Sequence, residues 1–186
     1  MPTPTRMPPI ADADLTEVQR KAIADIVAGP RGSLVGPFIP LLRSPEFMNR
    51  LQRTGEYLRF NSAFETRLSE LAILITARAW SQNFEWIHHR PIAEKAGLRP
   101  AVIDAIADGR RPDAMAMDEA AIYDFLDELC RTRNVSEATY KRTAALFGEK
   151  GVIDLIGIHG YYSLLAMVLN VTHTSGGLDP VLPTLP

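Results

Sequence analysis

Apolar side chains recur at three- and four-residue intervals along most of this chain, and no segment alternates as a half-buried strand would. The pattern predicts an all-α fold. A first helix runs from about Asp14 to Ala28, with Leu15, Val18, Ala22 and Ile26 on one face and Gly29-Pro30 as its stop. Ser44 caps a second, with Pro45 at its first position, that reaches about Phe60. Asn61 or Ser62 caps a third, whose apolar pattern from Arg67 to Trp80 is interrupted chiefly by Glu70. After a break at Ser81-Gln82-Asn83, a short helix carries Glu85, His88 and His89; Pro91 kinks or restarts it and Gly97 closes it. Further helices follow over Pro100–Asp108, from a cap at Asp118 to Arg131, and from Ser136 to a stop at Gly148. The last, Gly151–Thr172, is apolar nearly all round and reads as the buried centre of the domain.

The ends and one connection break this pattern. Residues 1–13 are Pro-rich and read as an N-terminal arm, residues 14–174 as one helical domain, and residues 175–186 as a Pro-rich tail. Between the first two helices, GPRGSLVGPFIPLLRSP is rich in Gly and Pro yet apolar from Leu34 to Leu42. Such a loop packs over something, as a lid, a pocket wall or a subunit contact.

Length and charge narrow the picture. A chain of 186 residues buries a core of its own. A net charge of −2 and a pI near 6.1 give no electrostatic reason to expect nucleic acid or an anionic membrane surface as a partner. The single cysteine, Cys130, excludes an intrachain disulfide, and it lies on the inward side of its helix as a small hydrophobe. The N-terminus lacks the apolar run of a signal peptide, and Asp154 and His159 interrupt the most apolar helix. The expected location is cytoplasmic, with no membrane partner.

Candidate chemistry gathers in Arg67–His89. Glu85 and His89 are i, i+4, and Gln82 joins their face if it already has helical geometry. Glu70 borders a buried face, either as a carboxylate paired with Arg67 three residues earlier or as a proton-handling group. Glu85, in the first turn of its helix, is favoured there by the helix dipole whether or not it acts. An imidazole titrates near neutral pH, which makes His89 the leading proton donor or acceptor. His88 points about 100° away, so one of the two histidines is expected to face the site. His159, Tyr161, Tyr162, Asn170 and His173 punctuate the last helix; Arg59, Arg78 and Arg90 are the arginines suited to a substrate carboxylate. Glu85-Trp86-Ile87-His88 has the Glu-x-x-His spacing of di-iron bundles, but such sites need the motif twice, so no metal is expected.

In GPFIPLLRSPEF, RLSELAILITARAW, FEWIHH and GVIDLIGIHGYYSLLAMVLN, taken in that order, the chain from about Pro30 to Thr172 resembles the carboxymuconolactone decarboxylase family, which includes the alkyl hydroperoxidase D-like proteins. The resemblance implies a single-domain helical bundle that assembles into a dimer, trimer or hexamer, with the site near subunit contacts. The peroxidase branch carries Cys-x-x-Cys, a His four residues later and a Glu twelve residues before the first Cys. Here the Glu is Glu70 and the His is His89, while Gln82 and Glu85 stand at the Cys positions. Neither can supply a thiolate, so thiol peroxidase activity is not expected.

What survives resembles the decarboxylase branch. The resemblance implies a cofactor-free carbon–carbon lyase, or another proton-transfer enzyme, acting on a small carboxylated lactone or related acid. His89, Glu70 and Glu85 are then the catalytic candidates, and Gln82, His88, Arg59 and Asn170 the substrate-binding ones. A hydrolase or isomerase on the same scaffold, and a non-catalytic oligomeric binding protein, are the alternatives.

Overall fold

A computed structural model of the chain describes residues 4–174 and 177–183. It is all-α, with no strand among the described residues. The helices are α1 (Glu17–Ala28), α2 (Phe38–Leu41), α3 (Pro45–Phe60), α4 (Thr66–Ala79), α5 (Asn83–Lys95), α6 (Pro100–Ala107), α7 (Met117–Thr132) and α8 (Glu137–Thr172).

The centre of the bundle is α4. Every residue from Leu68 to Arg78 is buried, because α5, α6, α7 and α8 all pack against it. Each fully buried Leu or Ile there contributes roughly 1.5–3 kcal/mol of transfer free energy. The expectation that the last helix forms the centre is half right. One face of α8 buries Leu155, Ile158, Tyr162, Leu165 and Leu169, but Ile153, Ile156, Met167 and Val171 are exposed on the other. α8 meets the length and hydropathy of a membrane span, yet half of that apolar window is buried inside the fold. Its one buried carboxylate, Asp154, accepts hydrogen bonds from the Ala63 N–H at 2.8 Å, Tyr57 at 3.1 Å and Lys150. Burial alone would raise its pKa, and these donors outweigh burial and lower it.

Several boundaries differ from the sequence expectation for local reasons. α1 starts after Thr16, whose hydroxyl and Gln19 form a capping box, and Asp12–Asp14 is a separate 3-10 turn. α4 is preceded by Glu65 rather than capped by Asn61 or Ser62. α7 starts at Met117 rather than after Asp118; the Glu119 side chain bonds the Ala116 N–H. Pro91 lies inside α5 without ending it. Gly148 does interrupt α8, with φ 69° in the left-handed region.

Both ends lie along the bundle. Arg6 N–H donates to the Thr172 carbonyl at 2.8 Å, and Ile10 packs on the core. Val181 and Leu182 N–H both donate to Asn83 Oδ1, at 2.7 and 2.8 Å, beside the start of α5. Residues 1–3 of the arm and 175–176 and 184–186 of the tail lie outside the described residues.

Candidate functional site

The turn between α4 and α5 sets the site. Ser81 takes φ 47°, and the chain reverses so that α5 lies along α4. Gln82 then caps α5: its backbone is extended, at φ −91°, ψ 102°, and its side-chain oxygen accepts the Phe84 N–H at 2.7 Å. Gln82 therefore does not share a helix face with Glu85 and His89. Its amide nitrogen donates to Asn170 Oδ1 at 2.7 Å, and Asn170 donates in turn to the Trp80 carbonyl at 3.3 Å. These two proposed substrate ligands fasten α8 to the turn, and neither lines the pocket.

Reversal of the chain brings Glu70 and His89 into contact. His89 Nδ1 lies 2.6 Å from Glu70 Oε2, and His89 Nε2 lies 3.4 Å from Glu85 Oε2. All three side chains are almost wholly buried, at 2%, 3% and 2% exposure for Glu70, Glu85 and His89. Burial alone would lower the His89 pKa; the hydrogen bonds and charges of Glu70 and Glu85 outweigh it, and the net shift is upward. His89 Nδ1 is thus hydrogen-bonded to Glu70, and Nε2 faces the Glu85 carboxylate. Arg67 does not compensate Glu70, because its guanidinium is taken by Glu65, Asp118 and Glu119 at 2.6–2.9 Å. Glu85 keeps one oxygen, Oε1, buried with no hydrogen-bond partner.

That carboxylate borders a cavity of about 30 Å³, set in a depression of about 320 Å³ that includes open solvent. α5 contributes Phe84, Glu85, His88 and His89 to its lining, α8 contributes Tyr162 and Leu165, α3 contributes Arg59, and the segment before and into α2 contributes Arg31, Val35, Pro37 and Phe38. The apolar Leu34–Leu42 stretch is therefore in part a pocket wall. Gly36 holds it in place with φ 56° and by contact with Phe84: a Cβ there would fall 2.3 Å from the ring. Both histidines line the pocket, where one was expected. His88 stacks on Phe84 with ring centroids 6.1 Å apart, and its pKa is lowered by burial and then by the charge on His89.

Tyr162, one of the polar residues that punctuate the last helix, and Arg31, which the sequence reading did not single out, join the site here. Tyr162 sets its ring edge-on to His89 at 5.1 Å, and burial raises its phenol pKa well above the ordinary value, so it is a neutral donor. Arg31 donates to Tyr161 Oη at 2.9 Å. Gly55 makes room for that pair, since a Cβ there would lie 2.1 Å from Tyr161 Oη. A glycine inside an otherwise regular helix was the available sequence signal for that approach.

The remaining candidates lie elsewhere. Arg90 pairs with Glu94 and Asp104, and Arg78 is buried without a hydrogen-bond partner for its guanidinium. Cys130 is only half-buried; its Sγ is 3.7 Å from His159 Nε2, while His159 Nδ1 is 3.0 Å from Thr76 Oγ1. Thr76 donates its one proton to the Ala72 carbonyl, so His159 carries its proton on Nδ1. Burial raises the thiol pKa and lowers that of His159, which leaves both neutral. Among the described residues no cluster of three or more His, Cys, Asp or Glu is arranged to hold a metal ion.

Comparison with known proteins gives this geometry a context. The sequence profile of the Carboxymuconolactone decarboxylase family matches residues 45–128, which hold Glu70, Glu85 and His89. No curated protein gives a significant match. Among solved structures, the alkylhydroperoxidase AhpD core of an uncharacterized peroxidase-related protein from Ralstonia eutropha JMP134 is similar over 92% of each chain, with TM-score 0.73 and 19% identity. A protein of unknown function from Agrobacterium tumefaciens that carries the AhpD name is similar over 75% of this chain and 96% of its own, with TM-score 0.62 and 16% identity. At such identities the likeness shows the fold. Residues 45–128 thus match the carboxymuconolactone decarboxylase family, and the helical bundle around them is AhpD-like, in a chain without a Cys-x-x-Cys pair.

Proposed function

We propose that the chain is a cofactor-free proton-transfer enzyme, decarboxylase-like, acting on a small carboxylated lactone or related acid. One observation carries this reading: Glu85 and His89, in the buried chain Glu70–His89–Glu85, line a pocket, and Glu85 keeps one carboxylate oxygen without a hydrogen-bond partner. In a decarboxylation the C–C bond to the carboxylate breaks, CO₂ leaves, and the electron pair passes into a conjugated carbonyl as an enolate. The Nε2 proton of His89 then passes by way of Glu85 to the carbon. Glu70 keeps the Nδ1 proton in place, and the neutral imidazole regains a proton from solvent. The Tyr162 phenol, held neutral by burial, donates to the enolate oxygen. Gln82 and Asn170 hold the α4–α5 turn, and no step uses the Cys130 thiol.

The test is proton NMR of carboxylated butenolides incubated with the protein in D₂O. Decarboxylation with deuterium incorporated at the carbon is expected, and Glu85→Gln should slow it by about a hundredfold or more. Equal rates for wild type and Glu85→Gln would refute the reading. Ring opening without loss of CO₂ would instead favour a hydrolase on the same residues, and binding without turnover a non-catalytic protein.

A further inference from the structure

We infer that Arg31 and Arg59 form a carboxylate-binding subsite at the pocket, which holds the substrate's acid group while its reacting carbon faces Glu85. The reaction rests on the proton-transfer reading above; the binding does not. Both arginines line the pocket from outside α5, one ahead of α2 and one on α3. Neither has a carboxylate partner among the described residues, whereas Arg67, Arg90, Arg99, Arg111 and Arg131 all do. The guanidinium carbon of Arg59 lies 5.2 Å from the Phe60 ring centroid.

Arg31 is built into place. Its Nη2 donates to Tyr161 Oη at 2.9 Å, its guanidinium carbon lies 4.6 Å over the Phe38 ring, and its Nε is buried without a partner. The helix α3 gives up a side chain at Gly55 to admit it: a Cβ there would come within 2.4 Å of Arg31 Nη2. A fixed guanidinium that retains unused N–H groups is suited to a planar oxyanion.

The charges point the same way. Arg31 and Arg59 bring two guanidinium charges to a pocket whose lining holds one carboxylate, Glu85. An anionic ligand completes the balance. The cavity volume of about 30 Å³ matches roughly two water molecules or a single carboxylate group, with the body of the ligand in the wider depression. The ligand class is therefore a small carboxylic acid bound as its anion.

Isothermal titration of the full chain with acetate, butyrate and succinate, and with acetamide and butyramide as neutral counterparts, tests this directly. The acids should bind at least about tenfold more tightly than the amides. Arg59→Gln should remove that preference, and Arg31→Lys, which keeps the charge but not the fork, should weaken it; the second variant serves if the first does not fold. Glu85→Gln, which disables the proposed proton transfer, should leave acid binding intact or tighter, so the two proposals fail separately. Acids and amides binding alike, no detectable binding of any acid, a preference unchanged in both arginine variants, or tighter binding of inorganic phosphate than of every acid would each overturn the assignment.

Discussion

His89 Nδ1 and Glu70 Oε2 lie 2.6 Å apart across 19 residues of chain, and both groups are almost wholly buried. A histidine placed this way does not stand alone, because its second nitrogen faces Glu85 at 3.4 Å. The three groups are one electrostatic unit. Removing His89 leaves the two carboxylates as a buried like-charge pair, which costs more than the intact arrangement contributes.

His89→Ala should therefore destabilise the fold by about 3–5 kcal/mol, since it leaves two buried carboxylates without their shared cation. Urea unfolding near neutral pH measures this. A loss below about 1 kcal/mol would mean that the carboxylates find protons or water at little cost.

The pH dependence has a definite sign. The folded-state pKa of His89 is raised above its ordinary value of 6.5, so the folded state holds this proton more tightly than the unfolded chain. The associated stability is fully present below the unfolded pKa and is lost as pH rises through the folded one. Unfolding free energies should decline on the alkaline side of 6.5 in the wild type, and by less in Glu70→Gln. A parallel pH profile in the two proteins would contradict the assignment.

Gly55→Ala should disturb the site from a distance. The new Cβ would meet Tyr161 Oη at 2.1 Å and Arg31 Nη2 at 2.4 Å, so the pair must shift. Overpacking of this kind costs roughly 1–3 kcal/mol, against the gain of about 0.5–1 kcal/mol that Ala normally brings inside a helix. A thermal melt should show net loss.

The outer face of α8 bears on assembly. Ile153, Ile156, Met167 and Val171 are exposed along it, and Gly160 adds a position where a Cβ would meet only open space. A homo-oligomer that buries this stripe is the expected state in solution, with Ile156→Glu shifting it toward monomer. Light scattering that gives a 20.6 kDa particle for the wild type at micromolar concentration would contradict this.

Thiol-dependent turnover of a hydroperoxide should be undetectable. Cys130 is the one cysteine of the chain, and burial raises the pKa of its thiol, which favours the unreactive form. Turnover that disappears in Cys130→Ser would show that thiol chemistry resides there after all.

Helical periodicity alone determined the fold class, because a 3.6-residue repeat is a local property that any amphipathic segment displays. The spacing of Glu85 and His89 likewise needed only one helix. Caps were less legible: Glu119 bonds the Ala116 N–H three residues back, where the N-cap is Ala116 itself rather than a Ser, Thr, Asp or Asn. Which polar group reached the pocket depended on tertiary structure. Gln82 carried the right spacing, but the turn at Ser81 gave it an extended backbone and turned its side chain toward Asn170. Arg31 and Tyr162 come from segments 131 positions apart in the chain, and nothing local links them. They share a pocket because α4, buried on all sides, fixes where α5 and α8 pack, and because Gly36 and Gly55 let the remaining wall come close.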